Sequence, residues 1–148
     1  MFPRTKIWTI ALLVLTSMTS HAQKGAGEQQ GVASSDQFPE LIEINGVVSA
    51  IRTGPCEFTN GKSNSGTHLM VSSKDVIYNV HLGPTSQVKN FVAESENRTI
   101  QIVVFRTNKL PADHYIAQKI LFEGNELVLR DGYLKPFWAD RNCRSVWK

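Results

Sequence analysis

Two histidines, His68 and His81, sit near opposite ends of the stretch THLMVSSKDVIYNVHLGP, which runs from Thr67 to Pro84. Imidazole ligates copper and zinc, and it is also an ordinary structural hydrogen-bond donor. What the pair can do depends on whether the fold brings the two rings together, and one register does so. Leu69 and Val71 alternate with polar neighbours, as do Val76, Tyr78, Val80 and Leu82. Such period-two alternation marks strands with one buried face. A two-residue turn at Lys74 and Asp75 sets Val71 opposite Tyr78 and Leu69 opposite Val80, with every apolar residue on one face. A slip of one residue would divide the apolar set, so burial selects this register. Lys-Asp is not a favoured turn pair for so short a loop, and a longer loop of the same parity is the alternative.

The same register places His68 opposite His81 on the other face, with Cβ atoms about 4.5–5.5 Å apart. Met70 shares that face and is a soft ligand. Two histidines do not complete a structural zinc site, which takes four ligands. His114 is a candidate third, though nothing in the sequence brings it there. The competing reading is that His81 hydrogen-bonds a backbone group and orders the turn out of the strand.

The elements that must position these residues begin after residue 38. Residues 1–22 carry Arg4 and Lys6, a mostly apolar run from Ile7 to Met18, and small residues ending at Ala22. This is the pattern of a secretory signal, and the run is short for a membrane span. An uncleaved anchor is the other reading. No further transmembrane segment is expected. Cleavage takes the formal charge from +3 to +1, because no acidic residue leaves with Arg4 and Lys6. A nearly neutral exported domain is a poor general nucleic-acid binder, since phosphate affinity needs many cationic contacts. Residues 23–38 are rich in Gly, Gln, Ser and Ala and read as a flexible spacer.

Residues 39–138 suffice for one small core. Strands are expected over Glu40–Arg52, with Gly46 marking a bulge or bend, and over Arg98–Thr107, His114–Phe122 and Glu126–Arg130. Pro84 suits a first helical position, and Val88, Phe91 and Val92 recur at helical spacing, so a helix is expected over Pro84–Ala93. Three strands, a helix, then further strands describe a mainly β chain. The fold class expected is an OB-fold-like Greek-key barrel of five to six strands, with one short helix between strands 3 and 4. An open β-sandwich leaves that helix unexplained.

Cys56 lies in the polar first loop and Cys143 in the basic, aromatic tail of residues 139–148. In an oxidising compartment the two are expected to form a disulfide. The closed loop of about 87 residues would contribute roughly 4–5 kcal/mol in the chain-entropy model. Free thiols, an intermolecular bridge and a Cys-His metal site are the other readings. The segment from Arg130 onward interleaves Tyr133, Phe137, Trp138 and Trp147 with Lys135, Arg141, Arg144 and Lys148. Stacking on Trp138 beside Arg130 is how a strand or glycan binder works. The plainer reading is that Phe137 and Trp138 cover the barrel end while the cations snorkel.

Catalysis has the least support. No G-x-S-x-G, H-E-x-x-H or C-x-x-C occurs, and no spacing sets Asp131 or Asp140 beside His114 as a triad. A non-enzymatic module is expected, with no cofactor, or alternatively copper or zinc. It would bind an exported protein or small ligand through the face bearing His68, Met70 and His81, or through the first loop and tail.

Val80-His81-Leu82-Gly83-Pro84, preceded by Gly66-Thr67-His68-Leu69, resembles a group of small exported bacterial OB-fold-like proteins. Their ending, L-R-D-x-x-G-x-P-x-W, is similar to Leu129-Arg130-Asp131 with Pro136 and Trp138 here. Tyr115-Ile116-Ala117 is similar to the group's penultimate strand. The resemblance spans roughly residues 43–138. Some members of the group look like magnetosome-associated proteins and others accompany respiratory cytochromes. It implies the barrel and a periplasmic or secreted location, and it implies no reaction. The glycine expected at position 134 is Leu134, and Glu96-Asn97 replaces the expected Gly-Asp turn, which puts the closing turn in question.

Overall fold

The computed structural model describes residues 37–56 and 65–139, with the backbone of 146–147. The expected signal segment, almost all of the spacer, most of the first loop, Asp140 and Cys143 lie outside the described residues.

The alternating stretch forms a hairpin of β2 (Gly66–Ser73) and β3 (Val76–Pro84). Val71 pairs with Tyr78, Leu69 with Val80, and His68 with His81. Leu69, Val71, Val80 and Leu82 are fully buried, while Val76 beside the turn stays exposed. Lys74 (φ 48) and Asp75 (φ 67) are both left-handed, which a two-residue turn of the primed type requires. Neither residue favours that conformation, so apolar burial along the strands selects the turn and not the reverse.

β1 (Ile42–Gly54) is shared between two partners. Ile42–Val47 pairs with β4 (Thr99–Phe105), and Val47–Gly54 pairs with β2. The bulge lies between Val48 and Ala50, not at Gly46 as the sequence suggests. Gly46 serves a different purpose. A Cβ there would sit 2.5 Å from the Ser72 carbonyl oxygen and 2.8 Å from Val71 Cγ1, so the glycine lets β2 cross closely over the bending strand.

Helix α1 (Thr85–Ser95) buries Val88 and Phe91. Pro84 stands at the N-cap position rather than at the first helical position expected of it, and the helix begins one residue later at Thr85. β4 leads to β5 (His114–Phe122), which pairs with β6 (Asn125–Val128) through a tight turn at Glu123 and Gly124. The strand order is β3-β2-β1-β4-β5-β6, and the sheet closes when β3 pairs in parallel with β5. The result is a closed five-stranded barrel with an extra strand and one short helix between β3 and β4. A short pairing of β7 (Val146–Trp147) with β6 extends the sheet.

The main core fills the barrel and includes Val48, Leu69, Val80, Phe91, Ile102, Ile120 and Leu129. A second cluster of Phe105, Leu110, Ile116 and Leu134 forms separately. Leu134 (φ 62) takes the left-handed conformation itself, where glycine is expected from the resemblance. The strain of about 1–2 kcal/mol is offset by burying its side chain in that cluster. Asp131 Oδ1 accepts hydrogen bonds from the backbone N–H groups of Tyr133 and Lys135, each at 2.9 Å, which holds the same turn.

Gly83 (φ 144) lies against the Trp138 ring, and a Cβ there would overlap the ring's six-membered half. Gly83→Ala is expected to cost about 2–3 kcal/mol, since strain and a displaced indole act together. Urea denaturation followed by tryptophan fluorescence measures this, and an unchanged midpoint would contradict the packing described.

Candidate functional site

Each member of the site is delivered by a different piece of backbone. His68 comes from β2 and His81 from β3, and their cross-strand pairing brings the ring centroids to 4.2 Å. His114 opens β5. The parallel closure sets Asn79 beside His114 and His81 beside Ile116, which brings His114 Nδ1 to 2.9 Å from His81 Nε2. Cys56 lies two residues past the end of β1, and its Sγ is 3.8 Å from His68 Nε2. Gly66 makes room for that sulfur, since a Cβ at 66 would collide with Cys56 Sγ. Cys56, His68 and His81 each offer one ligand atom, and these three atoms all lie within 4.8 Å of one another. Cys56 and His81 are buried and His68 is half-buried.

Asn79 ties the rings together. Its Oδ1 lies 3.3 Å from His68 Nδ1, and its Nδ2 lies 3.3 Å from His114 Nε2. The amide oxygen only accepts and the amide nitrogen only donates. His68 Nδ1 therefore carries a proton, leaving Nε2 bare toward Cys56. His114 Nε2 accepts, so its proton sits on Nδ1 and is donated to His81 Nε2. A neutral His81 then carries its proton on Nδ1, and that atom is buried with no hydrogen-bond partner among the described residues. Turning the amide over moves every proton in the chain to the other nitrogen, and His81 Nδ1 is still the atom left unmatched. A buried unmatched polar atom costs about 1–3 kcal/mol, which a coordinated ion would remove.

Burial favours the neutral form of His68 and His81. His81 is pushed down to about 3 from 6.5, first by burial and then by His68, His114 and Arg130. His68 is also lowered, mainly by burial, against an opposing hydrogen bond from Asn79. Neutral imidazole is the form that ligates metal.

Arg130 is buried and forms no ion pair among the described residues. Its Nη1 donates to the Ala117 carbonyl and, at 3.3 Å, to the Leu82 carbonyl next to His81. The guanidinium also faces the Trp138 ring at 5.0 Å and Phe105 at 5.9 Å. Burial lowers it to about 9, and the charge of Cys56 opposes that shift.

Several expectations change in this light. The pairing of His68 with His81 stands, and His114 joins it through the parallel closure, which no spacing in the sequence encodes. His81 bonds another ring, so the backbone-ordering role is not what its side chain performs. Met70 is half-buried in register with Asn79, two residues along from His68. Arg130 does not snorkel to water, while Trp138 does cover Gly83 at the barrel end as expected. Asp131 holds a turn through its Oδ1. The expected Cys56–Cys143 disulfide involves a partner outside the described residues, and no disulfide is found among those described. The proximity of Cys56 to the histidines had a usable signal: extending the β1–β2 ladder past the Gly54–Gly66 pair carries Cys56 to the His68 end of the barrel. Asn79, two residues from His81 on the same face, had a similar one.

Among the described residues no helix is long and apolar enough to cross a membrane. Compared with known proteins, the chain matches no family model, no curated protein and no solved structure.

His81 is held neutral in the folded chain but titrates near 6.5 when unfolded. The unfolded state therefore takes up more protons below that value. The stability His81 permits is present above pH 6.5 and is lost as pH falls toward about 3. Urea midpoints of the metal-free protein should drop over this window, and His81→Gln should flatten the drop. Equal slopes in both proteins would rule out His81 as the cause.

Proposed function

We propose that this protein is a non-enzymatic, exported metal-binding module of the OB-like type, which holds one copper or zinc ion with Cys56, His68 and His81. The carrying observation is that three soft or borderline ligand atoms lie within 4.8 Å of one another at a mostly buried spot. A metal bound by one thiolate and two imidazoles keeps a coordination position open. His114 stands next to His81 as a candidate for that position or as the partner that orients the ring, as ligating histidines usually have. Metal is thus the small ligand for the face bearing His68 and His81. An accessory role beside respiratory or magnetosome machinery rests on the resemblance alone, whereas the periplasmic or secreted location rests on the resemblance and on the signal pattern of residues 1–22.

A disulfide between Cys56 and Cys143 would use the same sulfur, so the thiolate site belongs to the reduced protein. Titration of reduced protein with Co(II) and Zn(II) is expected to give one equivalent bound, with thiolate-to-cobalt charge-transfer absorption. Cys56→Ser should abolish that absorption, and His68→Ala should weaken binding by 10-fold or more, about 1.4 kcal/mol. No stoichiometric uptake of either ion, or of copper, would end this reading.

A further inference from the structure

We propose that the site formed by Cys56, His68 and His81 is matched to a monovalent soft cation, cuprous copper, in preference to a divalent ion. The proposal deepens the metal-binding reading and rests on it.

The donors come first. The set is one thiolate and neutral imidazoles, with no carboxylate among the clustered ligands. Thiolates select Cu(I), whereas carboxylates and other hard oxygens favour divalent ions. Among the described residues, Asp113 approaches the neighbouring His114, with Oδ1 3.9 Å from Nε2 on an exposed side chain.

The second part is charge. Arg130 is a fixed cation built into the same region. It is buried, it is bonded to the carbonyl next to His81, and its face is closed off by Trp138. Among the described residues no carboxylate pairs with it. Asp131, its chain neighbour, spends Oδ1 on the backbone N–H groups of Tyr133 and Lys135. With the Cys56 thiolate that a bound metal requires, the guanidinium brings the protein's own charge in the loaded site to zero. Cu(I) leaves one net positive charge, and Zn(II) or Cu(II) leaves two. The cost of a buried charge grows steeply with its size, so Arg130 penalises the divalent ions more than the monovalent one. A unit charge within about 12 Å, at an effective dielectric near 20, is worth about tenfold in that comparison.

The test uses the full chain, reduced and kept anaerobic. Cu(I) affinity is measured by competition with a bathocuproine chelator, and Zn(II) affinity by competition with a chromophoric zinc chelator. Wild type is expected to bind Cu(I) more tightly than Zn(II). Arg130→Met, checked for native circular dichroism, should raise Zn(II) affinity relative to Cu(I) by about tenfold. Asn79→Asp adds a carboxylate beside His68 with little change of shape, and it should move the ratio the same way even where Arg130→Met fails to fold. For copper, tenfold corresponds to a fall of about 59 mV in the one-electron potential. Zn(II) binding at least as tight as Cu(I) in wild type overturns the inference and leaves the metal site standing. A ratio unmoved by Asn79→Asp in a folded protein does the same. Failure of both ions to bind sinks the underlying reading instead.

Discussion

The structure depends on one parallel pairing, where Asn79–His81 of β3 lies beside His114–Ile116 of β5. Every other ladder among the described strands is antiparallel. Three residue pairs close the sheet into a barrel and cover part of the β3 edge that an open sheet would leave for aggregation. The same three pairs carry His114 to His81 and to Asn79. Closure and site assembly are therefore one event, and the side chains that meet there come from segments more than thirty residues apart.

Such a closure exposes polar groups to burial on the outside of the barrel, and the chain deals with this unevenly. Asn79 satisfies two rings and His114 a third, yet His81 Nδ1 remains unmatched. Arg130 satisfies two carbonyls and two aromatic faces but has no carboxylate partner among the described residues. Buried polar groups are generally matched in stable domains. Where they are not, the departure concentrates at places where a ligand completes the set. His81 Nδ1 and the Arg130 charge lie beside the same histidines, while a further unmatched atom, Arg106 Nε, lies on a side chain bonded to the Leu110 and Pro111 carbonyls.

The local chain often gives way to the tertiary structure. Lys74, Asp75, Asn97, Glu123 and Leu134 all adopt positive φ without being glycine. Each sits in a turn whose flanking strands or buried side chain hold it in place. Leu134 is the clearest case, because its left-handed backbone is kept by burial beside Phe105, Leu110 and Ile116. Lack of space requires glycine at Gly46 against β2, Gly66 against Cys56 and Gly83 against Trp138, while Gly54, Gly124 and Gly132 have open space around them.

Alternation from Leu69 to Leu82 determined the hairpin, its register and the meeting of His68 with His81. A side-chain period of two leaves only one pairing that buries all the apolar residues. The helix after Pro84 and the strands at 99–105 and 114–122 were legible for the same reason: apolar period reports which face is buried. Period carries no information about which distant strands become neighbours across a closed sheet. The place of His114, the burial of Arg130 and the bulge beside Ser49 were therefore decided only by tertiary structure. They follow from barrel closure and from the close crossing of β1 and β2, where long-range packing outweighs anything written within a few residues.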